Sequence, residues 1–451
     1  MDNAEIFVGL DIGTTTIKVI VAENNNGEMN VIGAGTQPSH GLSRGVIVDI
    51  DQAASAIRSA IQQAEQKANV HIDSIILGIP ANQLKIEPTT GMVAVADGNQ
   101  AREITDRDVQ NVTNAALFQS LPPEREIIAL APDEFVVDGF DEIKDPRGMM
   151  GVRLELHGTM YTGPKTIVHN AKKAVEQAGL HVADVTVTPL ALGRTVLNDG
   201  EQDFGTVIID LGGGQSSAAV IHDHKLKYAV VDQEGGDFIT KDISVVLNTS
   251  MENAERLKRD YGFAIASAAS EENRFPVDVV GQSEPVQVTE HYLAEIIEAR
   301  LRQIFETLRA SLDEVAALEL PGGVMLTGGV AALPGIVELA ESVFGVHVHI
   351  YVPDQMGLRH PQNATALALI TYSGWQTETQ RLVKDALMGE FVPQAPIEPA
   401  VDRRAQPRQA ASAAAPTARQ QSTNNSQSSD TAEVKKDRTS SVRNFFRNFF
   451  D

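Results

Sequence analysis

Residues 207–217 read VIIDLGGGQSS. An apolar run rich in valine and isoleucine ends at Asp210, and three glycines and a cluster of small polar residues follow. Such a run predicts a buried strand. The glycines predict a tight turn with bare backbone N–H groups that an anion can approach. Asp210 at the strand end can hold a hydrated cation beside that anion. The plain alternative is a hairpin with a glycine-rich turn. A second stretch speaks to the choice. Residues 6–22 read IFVGLDIGTTTIKVIVA, again a strand into an aspartate, then Gly13, three threonines and a second strand. DIGTTTIKV and DLGGGQSSAAV share one layout, and each is followed by another short apolar run, at 31–34 and 228–231. The duplication predicts two lobes, each opening on a β-meander, with one anionic ligand held between the two turns.

Composition sets the outer limits. A chain of 451 residues has room for two or more folding units. The absence of cysteine excludes disulfides and thiolate metal sites, and fits a reducing cytosol. No stretch carries the long uncharged apolar run of a membrane span. The opening MDNAEIFVGL lacks the basic region of a signal peptide. A net charge of −23 argues against nucleic acid as a partner. The last fifty residues lean basic, which points to an acidic partner, such as a lipid surface, for the tail alone.

Between the two turns, residues 49–69 space Ala53, Ala54, Ile57, Ala60, Ile61 and Ala64 as one helical face, and 74–80 reads as a buried strand. Residues 82–162 change character and predict a small inserted domain. It holds a helix after Thr105, with Asp108 completing a capping box, and a loop-rich patch at 138–150. Helix at 164–178, strand at 184–187 and a short helix at 189–198 lead back to the opening stretch. After it come Gly235 and Gly236, then helix. Residues 253–261 form another helix, with Glu255 and Lys258 on one face, placed either to reach a nucleoside or to form a solvated ion pair. A strand pair at 275–288, a long helix at 289–317, a strand at 346–351 and a helix at 361–375 complete the body. Residues 323–329, GVMLTGG, end in a third glycine turn, where Gly328 and Gly329 would let a base or ribose lie against backbone.

Past residue 392 the chain turns rich in Ala, Pro, Gln, Ser and Arg, which predicts a disordered linker over 391–439. Residues 440–451 read SSVRNFFRNFFD. Val442, Phe445, Phe446, Phe449 and Phe450 fall on one helical face, with Arg443 and Arg447 on the polar side and a serine to cap the start. This predicts an amphipathic helix lying in a membrane interface. The alternative is a helix docked in a protein groove. Burial of each Phe contributes roughly 1.5–3 kcal/mol and each Arg near anionic lipid about 1 kcal/mol. Ordering the backbone costs about 1–2 kcal/mol per residue. The anchor is therefore weak and reversible, and suits a protein held by several linked copies.

Taken together, DIGTTTIKV, DLGGG and LTGGVAALPG in this order resemble the superfamily of actin, the heat-shock chaperones and the sugar kinases. GLSRGVIVDID, DPRGMMGVRLE, EGGDFITKDI, AERLKRDYG and the Phe-rich tail resemble, within it, the FtsA family of bacterial cell-division proteins. The resemblance spans about 5–387 and the tail. It implies an α/β, actin-like two-lobed fold with duplicated mixed-sheet cores. The first lobe would comprise 1–81 and 163–200, with a small inserted α+β domain at 82–162. The second lobe would comprise 201–390, with a small subdomain at about 250–309.

It further implies ATP with Mg²⁺ in the cleft. Gly13, Thr14, Thr15 and Lys18 match the first phosphate motif, and Gly212, Gly213, Gly214 and Gln215 the second. Asp11 and Asp210 match the Mg²⁺ aspartates, which act largely through water. Gly235, Gly236, Glu255, Lys258, Gly328 and Gly329 fall at nucleotide-contacting positions. The implied role is a filament-forming adaptor that ties the C-terminal peptide of FtsZ to the cytoplasmic face of the membrane at the division site. Other division proteins would be met through the inserted domain. Arg300 is a candidate contact for the acidic peptide, its alternative being a solvated helix residue. Residues 189–198 lack the glutamine that actin carries there, so the expectation is ATP binding with weak hydrolysis at most. Gln215 could substitute, but its place in the turn suits phosphate contact. A small-molecule kinase would not explain the tail, a chaperone would need a β-rich substrate domain, and a pilus-assembly adaptor would lack the amphipathic end.

Overall fold

The computed structural model describes residues 5–389 except 26–27, 97–99 and 119–120. The expected linker at 391–439 and helix at 440–451 lie outside the described residues.

Two five-stranded sheets share one topology. The first runs Glu28–Pro38, Thr16–Asn25, Glu5–Ile12, Ser74–Ile79, His181–Val187. Its first three strands are an antiparallel meander, and the last two lie parallel to Glu5–Ile12. The second runs Lys225–Asp232, Ser216–His222, Thr206–Leu211, Val324–Thr327, Val348–Ile350, with the same senses. Asp11 pairs with Lys18 across the first hairpin, and Asp210 with Ser217 across the second. The central strands are near-continuously apolar because both their faces are covered; Leu10, Val207 and Ile209 are fully buried.

Helix Ile50–Ala68 forms where the apolar spacing predicts it. Asp49 caps its start by accepting from the Gln52 N–H at 3.0 Å. It lies on Glu28–Pro38 at very short range: a Cβ on Gly35 would stand 1.9 Å from the Ala60 carbonyl oxygen. Glycine on the strand and alanine on the helix make that approach possible.

The lobes exchange helices. Thr188–Val196, which follows the last strand of the first sheet, lies on the second; a Cβ on Gly193 would meet Ile221. Ala364–Gly374, which follows the second sheet, lies on the first; a Cβ on Gly9 would stand 2.7 Å from the Ala366 oxygen. Leu10, Ile20, Leu190, Ile208, Ile221 and Leu369 therefore share one hydrophobic core. The first lobe, at 1–81 and 163–200, and the second, at 201–390, thus each lend a helix to the other's sheet. Periodicity shows that a helix has a buried face, but not which sheet covers it.

The inserted region folds as a four-stranded antiparallel sheet in the order Phe140–Ile143, Arg125–Val137, Arg153–Pro164, Lys85–Ala94. Helix Asp106–Leu117 packs on it, with the Thr105–Asp108 capping box formed. Short strands occupy part of the expected loop patch. A further helix, Glu378–Met388, lies beside helix Asp106–Leu117 against strand Arg125–Val137 of this sheet and contributes Val383 to its core. Arg147 holds it by pairing with Glu378 at 2.9 Å and Asp145 at 2.7 Å, and Lys384 pairs with buried Asp184 of the first lobe. The second lobe's small unit comprises Gly236–Val246, Met251–Tyr261, the ribbon Arg274–Val277/Val286–Thr289 and the long helix Glu290–Glu314.

Candidate functional site

A cleft of about 720 Å³ separates the lobes, and both glycine turns line it. The turns are built alike. Gly13 N–H donates to the Thr16 oxygen at 3.2 Å, and Gly212 N–H to the Gln215 oxygen at 3.1 Å. They face each other so closely that a Cβ on Gly213 would overlap Thr15, and one on Gly214 would overlap Thr14. Gly235 and Gly236 pack against the second turn, and of the two Gly236 lines the cleft: a Cβ on Gly235 would stand 2.6 Å from the Gly212 and Gly213 oxygens, Gly236 N–H donates to the Gly212 oxygen at 3.0 Å and Asp237 N–H to the Gly213 oxygen at 2.8 Å.

Asp11 and Asp210 stand at corresponding strand ends. Lys18 Nζ lies 3.3 Å from Asp11 Oδ2. Asp210 keeps some surface open to the cleft, but its carboxyl is otherwise enclosed by protein. Burial pushes it up to about 6, the like charge of Asp11 adds to the rise, and Lys18 opposes it. Gly328, at φ +91°, makes room for this carboxyl: a Cβ there would stand 2.4 Å from Asp210 Oδ1. Gly328 thus seats Asp210 while also lining the cleft, and Gly329 borders it with nothing nearer a Cβ than Gln362 at 3.9 Å. Val330, Leu333 and Pro334 form an apolar wall beside it.

Glu255 and Lys258 line the cleft and also pair with each other at 2.6 Å. Lys258 Nζ donates further to the Gly236 oxygen at 2.9 Å and to Thr240 Oγ1 at 2.8 Å, while Arg259 binds the other Glu255 oxygen at 2.7 Å. Burial works to raise the Glu255 carboxyl, but Lys258, Thr240 and Arg259 prevail and hold it low. Burial raises the nearby Asp237 carboxyl.

Sequence reasoning missed several lining groups, among them Thr188, Asp237, His360 and Gln362. His360 arrives from a short turn ahead of Ala364–Gly374 and sits near Lys18; burial and that lysine both lower its pKa. Its only local signal was the His-Pro pair before an apolar helix.

Arg300 does not present a free charge. Its guanidinium binds Asp242 at 2.6 Å and Glu234 at 2.7 Å and lies 5.8 Å over the Phe238 ring, so its pairing is internal to the second lobe. Both partners are carboxylates distant in sequence, which a helical wheel does not show. Among the described residues no helix is long and apolar enough to cross a membrane, and no group of three or more acidic or histidine side chains is set to hold a metal directly. Two strand-end carboxylates with a lysine alongside fit a cation held mostly through water.

The family model of the cell division protein FtsA matches residues 207–368, and the model of the SHS2 domain inserted in FtsA matches 81–162. The cell division protein FtsA of Enterococcus hirae is 55% identical over 392 residues, covering 87% of this chain and 88% of that relative. Among solved structures, the PilM–PilN type IV pilus biogenesis complex superposes with a TM-score of 0.56 at 18% identity, over 82% of this chain and 99% of that one. MreB5 of Spiroplasma citri bound to ADP gives 0.50 at 13% identity, over 84% and 98%. The structural likenesses establish an actin-like fold, and the sequence match goes further: this chain belongs to the FtsA family of cell-division proteins.

Proposed function

We propose that this chain is an ATP-binding, filament-forming adaptor that anchors FtsZ to the cytoplasmic face of the membrane during septum assembly. The observation that carries the reading is the pair of matched turns, each with its strand-end aspartate, facing across one cleft in a chain of this family. Mg-ATP would supply a charged ligand that touches both lobes and so favours the closed arrangement by differential affinity. The N–H groups of Thr14 and Thr15 in the first turn and of Gly213, Gly214 and Gln215 in the second hold phosphate oxygens, those of Gly13 and Gly212 being spent in closing the turns, and Lys18 adds positive charge. Asp11 and Asp210 order the water shell of the cation, while Glu255, Lys258 and Gly329 border the nucleoside.

The tail at 440–451 carries the protein to anionic lipid through its phenylalanines and arginines. The FtsZ peptide is assigned to the small unit of the second lobe. There Val245, Val246, Met251 and Tyr292 are exposed, and apolar contacts rather than Arg300 are its anchor. Exposed Met92, Phe140 and Met150 on the inserted subdomain suit it to other division proteins.

The site is poor at hydrolysis. Residues 189–198 supply no glutamine, and Gln202 on the next helix is bound to Arg194 at 3.1 Å. Phosphate release by the purified protein is therefore expected on the order of 10⁻² s⁻¹ or slower, the range of unassisted nucleotide hydrolases. Turnover of several per second, or transfer of phosphate to a small molecule, would replace the adaptor reading with an enzymatic one.

A further inference from the structure

Asn82 opens the inserted subdomain and is 6% exposed, yet it reaches across to the second lobe's phosphate turn. Its Nδ2 donates to Gln215 Oε1 at 3.0 Å and to the Arg44 carbonyl oxygen at 3.4 Å. The second contact orients the amide, because a backbone carbonyl only accepts. Asn82 must therefore present nitrogen on this side. Gln215 in turn must present oxygen to Asn82, which leaves its Nε2 as the group available elsewhere.

The surroundings hold this arrangement in place. Gly45, at φ +74°, has no side chain where the Gln215 amide lies; a Cβ there would stand 2.3 Å from Oε1. Gly45 N–H donates to Thr14 Oγ1 at 2.8 Å, in the first phosphate turn. Arg44 donates to Gln233 Oε1 at 3.3 Å, in the second lobe. The ribbon of Leu42–Ser43 and Val46–Ile47 thus touches both turns, and Asn82 closes the circle from the root of the inserted subdomain.

We infer that Asn82 is a positioning residue that locks the Gln215 side-chain amide with its oxygen turned away from the cleft, so that Gln215 offers the nucleotide phosphates an N–H donor only. The inference rests on the reading of the cleft as an ATP site. It has two consequences. Gln215 is badly placed to accept from an attacking water, because its one acceptor oxygen is turned toward Asn82. The phosphate turn is also joined by hydrogen bonds to the base of the subdomain that would meet other division proteins.

Asn82→Asp tests this. A carboxylate at 82 repels the Gln215 oxygen and accepts from Nε2 instead, which turns the oxygen toward the phosphates. By calorimetry on the full chain, Asn82→Asp is expected to weaken ATP binding roughly tenfold and to leave adenosine binding unchanged. In a Gln215→Ala background the same change should have no further effect on ATP. Asn82→Ala frees the amide without reversing it and should cost less than Asn82→Asp, which covers the case in which the charged variant fails to fold. Equal losses with and without Gln215, or equal losses for ATP and adenosine, would overturn the inference and make Asn82 a packing residue. A wild type that does not bind ATP would remove the cleft reading itself; a wild type that binds, with variants that match it, would remove only the role of Asn82.

Discussion

Asparagine at position 210 is expected to stabilise the nucleotide-free protein while abolishing its response to Mg-ATP. The Asp210 carboxyl ordinarily titrates near 3.8 and is pushed up to about 6 in the fold by burial and by Asp11, against the pull of Lys18. A carboxyl that is harder to ionise folded than unfolded gives its full support below pH 4. That support is lost as pH rises through about 6. The interval corresponds to at most about 3 kcal/mol, less whatever water in the cleft screens at the exposed edge. Asp210→Asn has no charge to bury. In metal-free buffer the variant and the wild type should unfold alike near pH 4, with the variant gaining steadily to pH 7 in denaturant titrations. Added Mg-ATP should then stabilise the wild type alone, because ligand binding to the native state raises stability only where binding survives. A variant less stable than wild type at pH 7 would contradict the burial cost of this carboxylate, and one still stabilised by Mg-ATP would remove Asp210 from the cation site.

Removal of residues 442–451 is expected to release the protein from vesicles. The segment carries four phenylalanines on one face of a helical wheel with two arginines on its polar side. Phe446→Ala alone should lower partitioning onto anionic vesicles by roughly 10–100-fold, the equivalent of one buried aromatic ring. Raising salt should weaken binding further through Arg443 and Arg447. Sedimentation of the truncated chain with vesicles at the level of the intact one would return the tail to the protein-groove alternative.

The parts of this molecule legible in the sequence are those written in local pattern. Two aspartate–glycine turns with the same spacing identify twin hairpins, and the alanine and isoleucine spacing of helix Ile50–Ala68 identifies its buried face. The sequence does not show what crosses between distant segments. Nothing in residues 188–196 or 364–374 indicates that each helix covers the opposite lobe's sheet, because an apolar face fits either. Gly328 lines the cleft as its turn suggests, but its neighbour Asp210, whose carboxyl it makes room for, lies more than a hundred residues earlier. Arg300 looked free on its helix and is neutralised by Glu234 and Asp242, which lie more than fifty residues earlier. Asn82 carries no motif at all; only the fold sets it against Gln215. The helix Glu378–Met388 did have a local signal, the Thr377–Gln380 capping box. It sits so close to the polar linker that its short apolar stripe is easily passed over.

The central claim is that one chain links a nucleotide cleft, a membrane and FtsZ. The most direct measurement is co-sedimentation of FtsZ with anionic vesicles in the presence of this protein, with and without ATP. Intact chain with ATP is predicted to bring FtsZ down with the vesicles, chain without ATP to bring down less, and chain lacking 442–451 to leave FtsZ in the supernatant. FtsZ that stays in solution beside vesicle-bound, ATP-loaded protein would contradict the account.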